Sequence, residues 1–211
     1  MEKYDVVVIG AGNGGMTAAT ALAQRGMNVL MLERHNIPGG CATSFCRGRF
    51  EFEVALHQLS GVGSEEKPGP LRRALDKIDV TQDVDWVEMS DLYRFVIPGM
   101  ADITLKPERT AFEDELKTQF PKEKDAISRF VDLLYAYFTE VIGVNFLNDP
   151  DVSRNKYPLI HQYAFKSAEE VLDQYFTDPI LKAAISAYWG YIGLPPSRMS
   201  FTYLAMLLFA Y

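Results

Sequence analysis

The chain has 211 residues, of which 48% are hydrophobic, which is enough for a buried core in one large or two small domains. Its formal net charge is −7 and no basic cluster is present to neutralise phosphates, which argues against binding to nucleic acid. The most apolar segment, FTYLAMLLFAY at 201–211, is too short to span a bilayer. Two cysteines do not make a disulfide framework. We therefore expect a cytoplasmic protein, with a peripheral contact to a membrane surface as an open alternative.

The first recognisable pattern is a βαβ unit that occupies about thirty residues. The β-branched run VVVI at 6–9 predicts a strand that is buried on both faces. The small side chains from Met16 to Ala23 predict a helix, and Gly26 is a typical signal for its C-terminal end. The run VLML at 29–32 predicts the second strand. This order indicates the start of an α/β, Rossmann-like domain.

Between the first strand and the helix lies the sequence GAGNGG, with three spaced glycines. In this context Gly10 permits a tight turn, Gly12 lets the backbone approach a pyrophosphate, and Gly15 lets the helix pack closely on the strand. The helix N-terminus adds free N–H groups and a partial positive charge. The predicted dinucleotide-binding loop comprises Gly10, Ala11, Gly12, Asn13, Gly14 and Gly15.

Glu33, at the end of the second strand, is the next candidate binding residue. A carboxylate at this position accepts hydrogen bonds from ribose hydroxyls and repels a 2′-phosphate, which favours FAD or NAD over NADP. The following segment, ERHNIPGGCATSF, favours FAD, because Gly39 and Gly40 form a second bare backbone that can pass close to an extended cofactor. Thr43 and Ser44 are hydroxyl donors for such a cofactor. An ordinary Pro-Gly-Gly turn is the alternative interpretation.

The segment 4–61 resembles the FAD-dependent phytoene-desaturase-like family, and most closely the branch that holds retinol saturases and carotenoid isomerases. The matching pieces are VVIGAGNGGMTAATALAQRGMNVLMLER, PGGCATSF and RGRFEFEVALHQLSG. The resemblance implies an FAD cofactor and an apolar polyene substrate, whose carbon–carbon bonds are desaturated, saturated or isomerised by hydride exchange at the flavin. It implies a flavin site that continues beyond the glycine loop through Glu33, Arg34, Gly39 and Gly40. Cys41 and Thr43, which follow directly, are further candidate cofactor-binding residues.

In this family the strand end that corresponds to FEFEVALH lies beside the flavin ring. The chain departs from the family pattern at Glu53 and Ala55, where Asp and Gly are usual. His57 is a weak catalytic candidate, as a group that orients substrate or donates a proton, and a hydrogen-bonded structural histidine is the alternative. The resemblance implies no side-chain catalyst beyond this one.

Cys41 and Cys46 permit a second interpretation, because flavin disulfide reductases use two cysteines with four residues between them. Those enzymes have Gly before the second cysteine, whereas Phe45 stands there in this chain, which argues against that chemistry. A non-catalytic dinucleotide-binding fragment is the third hypothesis. His35 and His161 have no partners at metal-ligand spacing, so we predict no metal site.

The polar break EEKPGP at 65–70 predicts a boundary between an FAD-binding part at 1–67 and an α+β substrate domain at 68–211. In the second part, a Pro-Gly turn between strands at 92–97 and 103–106 predicts a hairpin. The family's chains are longer, and this one stops inside an apolar helix. We therefore expect an N-terminal fragment, truncated at its C-terminus.

Helical spacing dominates the rest of the chain. The first predicted helix carries an apolar stripe through Phe112, Leu116 and Phe120, and the second covers 121–142. A third is predicted from the capping box Ser167/Glu170 to Tyr175, a fourth begins at Asp178-Pro179, and an apolar fifth begins at about Ser200. Dense aromatic residues, among them Phe146, suggest an apolar tunnel for an isoprenoid, and an ordinary helical core is the alternative. The basic residues and apolar face of the helix over 121–142 make it a candidate membrane contact.

Overall fold

The computed structural model describes residues 2–55, 57–145, 147 and 149–210. These residues form two compact units that divide after Trp86. The first unit carries the βαβ segment, and the second contains most of the helices.

The domain boundary predicted after Lys67 stays a prediction, and the compact units divide later in the chain. The later division has a local cause, because Gly63 pairs with Pro68 across the polar break. Leu71, in the helix that follows, donates its N–H to the carbonyl of Gly61 at 2.9 Å. These bonds hold the break and the next helix with the first unit.

The first unit begins with the predicted βαβ segment. Strand β1 covers Val6–Ile9, helix α1 covers Asn13–Ala23, and strand β2 covers Val29–Leu32. The two strands pair in parallel along their whole length. Gly26 adopts a positive φ of 83° just after α1, which is the conformation that a glycine supplies at a helix end. The predicted order and approximate bounds are therefore confirmed.

The prediction that the first strand is buried on both faces is wrong. Val7 is 52% exposed and Ile9 is 85% exposed. Helix α1 covers the opposite face, where Gly15 approaches the side chain of Val8. Within the described residues β1 pairs only with β2, and no second layer covers the face of Val7 and Ile9. The apolar run therefore predicted that the side chains on that face are apolar, but it could not predict whether another layer covers them.

The first unit also contains a hairpin and a helix that sequence analysis did not predict. These elements are β3 (Ser44–Arg47), β4 (Phe50–Glu53) and α2 (Pro70–Asp76), with short 3-10 turns at Gly40–Ala42 and Thr81–Asp83. Strands β3 and β4 are antiparallel, and Gly48 turns the chain between them with a φ of 60°. The alternation FEFE, which follows this glycine closely, is the signal that could have revealed the second strand of the hairpin.

The second unit is an antiparallel hairpin followed by helices. Its described elements are β5 (Tyr93–Ile97), β6 (Ala101–Leu105), α3 (Arg109–Gln119), α4 (Lys124–Asn145), α5 (Pro158–Tyr163), α6 (Ala168–Tyr175), α7 (Pro179–Ile185), α8 (Trp189–Ile192) and α9 (Phe201–Ala210). The hairpin and the helices α3, α4, α6, α7 and α9 confirm the predictions. Helix α5 was not predicted, because it is too short to show a helical period. The helix predicted from Asp178 to the break at Leu194-Pro195 is divided by a turn at 186–188 into α7 and α8.

Aromatic side chains fill the centre of the second unit. Phe130, on α4, is fully buried and makes edge-to-face contacts with Tyr175, Phe176 and Phe201. A cavity near the β5 end of the core has about 20 Å³, enough for one water molecule. The described residues therefore favour a packed helical core over a tunnel at these positions. Phe146 lies outside the described residues.

Helix α4 places its apolar face inside the second unit. Ile127 and Val131 are buried together with Phe130 and Leu134. The sequence hypothesis required this apolar face to be exposed to a membrane surface. The face is instead occupied by the core and is not available for such a contact. Among the described helices, none combines the length and apolar character needed to cross a membrane.

The capping box at the start of α6 generates a stability prediction. The Oγ of Ser167 accepts the N–H of Glu170 at 3.1 Å, and the Glu170 carboxylate accepts the N–H of Ser167 at 2.7 Å. Ser167→Ala should lower the free energy of unfolding by about 1 kcal/mol, because an amide in the first turn loses its acceptor. Ser167→Thr, which keeps a hydroxyl, is the control in urea denaturation. Equal losses in the two variants would contradict the capping role.

Candidate functional site

The loop between β1 and α1 requires glycine at two positions. Gly10 has a φ of 98°, a left-handed conformation that side chains disfavour, and donates its N–H to the Leu32 carbonyl at 2.7 Å. A side chain at Gly15 would place its Cβ far inside van der Waals contact with the Gly10 carbonyl oxygen. The turn and the close helix–strand packing predicted for these glycines are therefore both present.

Helix α1 opens towards solvent with free donors. Gly12 precedes its first residue, and the first intrahelical bond is from the N–H of Met16 to the Gly12 carbonyl at 2.9 Å. The N–H groups of Asn13, Gly14 and Gly15 come before that bond and have no partner within the helix. No side chain caps them, and the first turn contains no acidic residue. Such an end attracts an anion through its N–H groups and the helix dipole.

The second glycine segment lies directly against the first. Gly39 donates its N–H to the Ala11 carbonyl at 2.7 Å and forms a parallel bridge with Gly12. A Cβ added to Gly40 would lie 3.0 Å from the Cα of Gly12. Gly39 and Gly40 have φ angles of 119° and 61°, which also favour glycine. The fold thus brings together the two bare-backbone segments that sequence analysis singled out.

Glu33 joins the glycine loop to the chain that follows β2. Its Oε2 accepts the N–H of Ala11 at 2.6 Å, and its Oε1 accepts the N–H of His35 at 2.7 Å. These backbone bonds, first from His35 and then from Ala11, lower the pKa of the Glu33 carboxyl below its ordinary value. The side chain is exposed. A carboxylate has about four acceptor sites, so it retains lone pairs for a ligand hydroxyl.

The other predicted site residues occupy varied positions. Arg34 and Cys41 are exposed. The hydroxyl of Thr43 donates to the Pro38 carbonyl at 3.2 Å and so closes the turn that contains the glycine pair. His57 follows β4, whereas Leu56, from the same motif, lies outside the described residues. The structure therefore brings together Gly10, Ala11, Gly12, Glu33, Gly39 and Gly40. The cofactor-binding roles of these and of the other predicted residues stay predictions.

Cys41 and Cys46 are both free, exposed thiols. Cys41 lies in the 3-10 turn after the glycine pair, and Cys46 lies in β3. The ring nitrogens of two histidines face backbone carbonyls: His35 Nδ1 lies 3.3 Å from the carbonyl of Ile37, and His161 Nε2 lies 3.0 Å from that of Val152. Among the residues that the structure describes, no three His, Cys, Asp or Glu side chains are grouped so that they could hold a metal ion.

The β3–β4 hairpin adds a surface that sequence analysis missed. Phe45 and Phe52 stack with their centroids 5.1 Å apart, and the Arg47 guanidinium lies 4.8 Å from the Phe45 centroid. These side chains are exposed. The hairpin starts a few residues after the Gly39–Gly40 turn, so it continues directly from the glycine cluster along the chain.

Residues 8–77 match the family model described as an NAD(P)-binding Rossmann-like domain. The chain is 31% identical to rat all-trans-retinol 13,14-reductase over an alignment that covers 98% of this chain and 36% of that protein. It is 34% identical to prolycopene isomerase 2 from an Oncidium hybrid cultivar, over 66% of this chain and 24% of that protein. The chain therefore spans about a third of the length of the curated relatives it matches. The resemblance to the retinol-saturase and carotenoid-isomerase branch is confirmed.

Two solved structures share the fold. The Rab GDI of Plasmodium falciparum superposes with a TM-score of 0.55 at 13% identity, over 99% of this chain and 49% of that one. An oxidoreductase from Methanosarcina mazei superposes with a TM-score of 0.55 at 19% identity, over 97% of this chain and 44% of that one. At these identities the likeness concerns the fold alone. Together with the family match, it confirms a Rossmann-like, mixed α/β architecture that carries a dinucleotide-binding domain.

Two neighbouring glycines of α1 provide a matched test of the loop geometry. Gly15→Ala should destabilise the first unit, because its Cβ collides with the Gly10 carbonyl and neither backbone can yield easily. In Gly14→Ala the added methyl group points into open space, so this substitution should be neutral or stabilising by about 0.5–1 kcal/mol, because alanine favours the helix. Thermal unfolding followed by circular dichroism measures both variants. Similar melting temperatures for the two would contradict the close approach.

The bonds of Glu33 generate a pH prediction. Its folded-state pKa lies below the ordinary value of 4.5, so its contribution to stability is present above that value and is lost as the pH falls through the folded pKa. The melting temperature of Glu33→Gln should therefore lie below that of the unmodified chain at neutral pH, and the gap should close in acid. Glu66→Gln, in an exposed loop, is the control. A gap that does not change with pH would contradict the role of the ionised carboxylate.

Proposed function

We propose, for a chain related to the retinol reductases and prolycopene isomerases, that its first unit binds the ADP part of FAD and that the whole protein is an FAD-dependent oxidoreductase. The contact between the backbones of Gly12 and Gly40 carries this proposal. A second glycine segment beside the mouth of α1 leaves room for a cofactor that extends beyond its pyrophosphate. Both segments present bare backbone at the mouth of α1, where a ligand can approach without meeting a side chain.

The residues present fit the nucleotide half of such a cofactor. The free N–H groups of Asn13, Gly14 and Gly15 suit the pyrophosphate, because they combine hydrogen-bond donors with the positive end of the helix dipole. The exposed carboxylate of Glu33 suits the ribose hydroxyls and disfavours a 2′-phosphate. Arg34, Cys41 and Thr43 complete the proposed site at its rim. The role of Arg34 rests on the family resemblance, and those of Cys41 and Thr43 rest on their positions directly after the glycine pair.

A bound flavin would supply hydride exchange with a carbon–carbon bond. The residues of this chain would bind and orient the nucleotide, and His57 stays the candidate for contact with substrate. The relatives are named for reactions of all-trans-retinol and prolycopene, so we propose an apolar polyene as the substrate class. Desaturation, saturation and isomerisation all fit this chemistry. The proposed location is the cytoplasm, with a peripheral membrane contact, through a surface other than the buried face of α4, as the alternative.

Gly40→Ala tests the proposed function. The added Cβ would lie 3.0 Å from the Cα of Gly12, and the φ of 61° at this position is unfavourable for alanine. The Gly39–Gly40 segment should therefore move, and the affinity for FAD should fall at least about tenfold. Gly190→Ala, in α8, adds a methyl group in open space and is the matched control. Flavin fluorescence during FAD titration, with ADP as competitor, measures the affinities. Unmodified protein that is colourless and does not respond to added FAD would refute the proposal.

A further inference from the structure

The hydrogen bonds between β1 and β2 continue beyond the strands into the glycine loop. The first additional bond runs from the Gly10 N–H to the Leu32 carbonyl at 2.7 Å. The next runs from the Ala11 N–H, but its acceptor is the side-chain carboxylate of Glu33 at 2.6 Å. On the other side, the Ala11 carbonyl accepts the Gly39 N–H at 2.7 Å. Ala11 is therefore held from both sides, once by a backbone group and once by a side chain.

Ala11 is the residue of this loop that most needs these partners. It is 2% exposed, and it is the one described apolar residue of the first unit that is buried outright. A buried N–H without an acceptor destabilises the conformation that buries it, so the loop depends on an acceptor at this position. Glu33 supplies that acceptor from an exposed position, where its remaining lone pairs still face solvent.

The same carboxylate also fixes the chain that leaves β2. Its second oxygen accepts the N–H of His35, two residues further on. One side chain thus connects the end of β2, the glycine loop and the start of the segment that returns to Gly39. Only a carboxylate can accept both N–H groups through its two terminal atoms, because a carboxamide offers one acceptor oxygen and places donors on the other side.

We propose that Glu33 is a positioning residue, which holds the glycine loop in its phosphate-binding conformation independently of any bond to ribose. This inference rests on the proposed function, that the site binds an ADP moiety. The inference also identifies which N–H groups can bind the pyrophosphate. Because the Ala11 N–H donates to Glu33, the available donors are the N–H groups at the start of α1.

A nucleotide that lacks ribose hydroxyls separates this role from ribose binding. The affinities of ADP and 2′,3′-dideoxy-ADP are measured by titration calorimetry for the unmodified 211-residue chain, Glu33→Gln and the control Glu66→Gln. Positioning by Glu33 predicts that Glu33→Gln weakens both nucleotides, by roughly tenfold for the dideoxy compound. Removal of a negative charge near the phosphates would by itself strengthen binding, so a loss cannot come from charge. Unchanged or tighter binding of dideoxy-ADP by Glu33→Gln would overturn the inference.

A second measurement needs no nucleotide. Amide hydrogen exchange followed by NMR should show the Ala11 N–H exchanging about tenfold faster in Glu33→Gln, whereas the Gly10 N–H, bonded to a backbone carbonyl, should be unchanged. Equal exchange of Ala11 in the variant and the unmodified chain would overturn the inference. If the unmodified chain binds no ADP, the proposed function fails, and the exchange data still decide the positioning role. Glu33→Asp, which keeps the charge but shortens the reach, replaces Glu33→Gln if that variant does not fold.

Discussion

The close approach of two glycine backbones is the constraint on which the first unit depends. Gly40 lies against Gly12 because it carries no side chain: a Cβ added to Gly40 would lie only 3.0 Å from the Cα of Gly12. This contact lets the chain that leaves β2 return to the mouth of α1. Once it has returned, Gly39 bonds to the Ala11 carbonyl, and the loop becomes the middle of three hydrogen-bonded segments. The position of the candidate phosphate donors follows from that arrangement.

The two units are stabilised in different ways. The second unit has a core of interlocking aromatic rings around Phe130, in which large buried apolar area provides the stability. The first unit buries Ala11 and little else outright, and it is held by backbone hydrogen bonds, by the carboxylate of Glu33 and by glycine contacts. A fold of this kind tolerates few changes in its loops. A nucleotide that binds only the folded state would stabilise this unit further.

The sequence could predict those parts of the fold that local chemistry determines. Spaced glycines after a β-branched run gave the βαβ unit, and the Ser167/Glu170 spacing gave the start of α6, because each pattern reports bonds between near neighbours. The bond from Ala11 to Glu33 could not be predicted, because a side-chain acceptor for a distant amide leaves no trace in periodicity. The open face of β1 was also missed, since burial depends on layers that the strand itself does not encode.

The two uses of Glu33 connect nucleotide specificity with loop structure. A site that accepted a 2′-phosphate would have to lose this carboxylate, because the two negative charges repel each other. If Glu33 positions the loop as proposed, the same loss would leave the buried N–H of Ala11 without its acceptor and would release the chain at His35. A change of cofactor would then need a second substitution that supplies another acceptor for Ala11. On this proposal, specificity against a 2′-phosphate would be maintained by the folding of the loop as well as by the charge repulsion at Glu33.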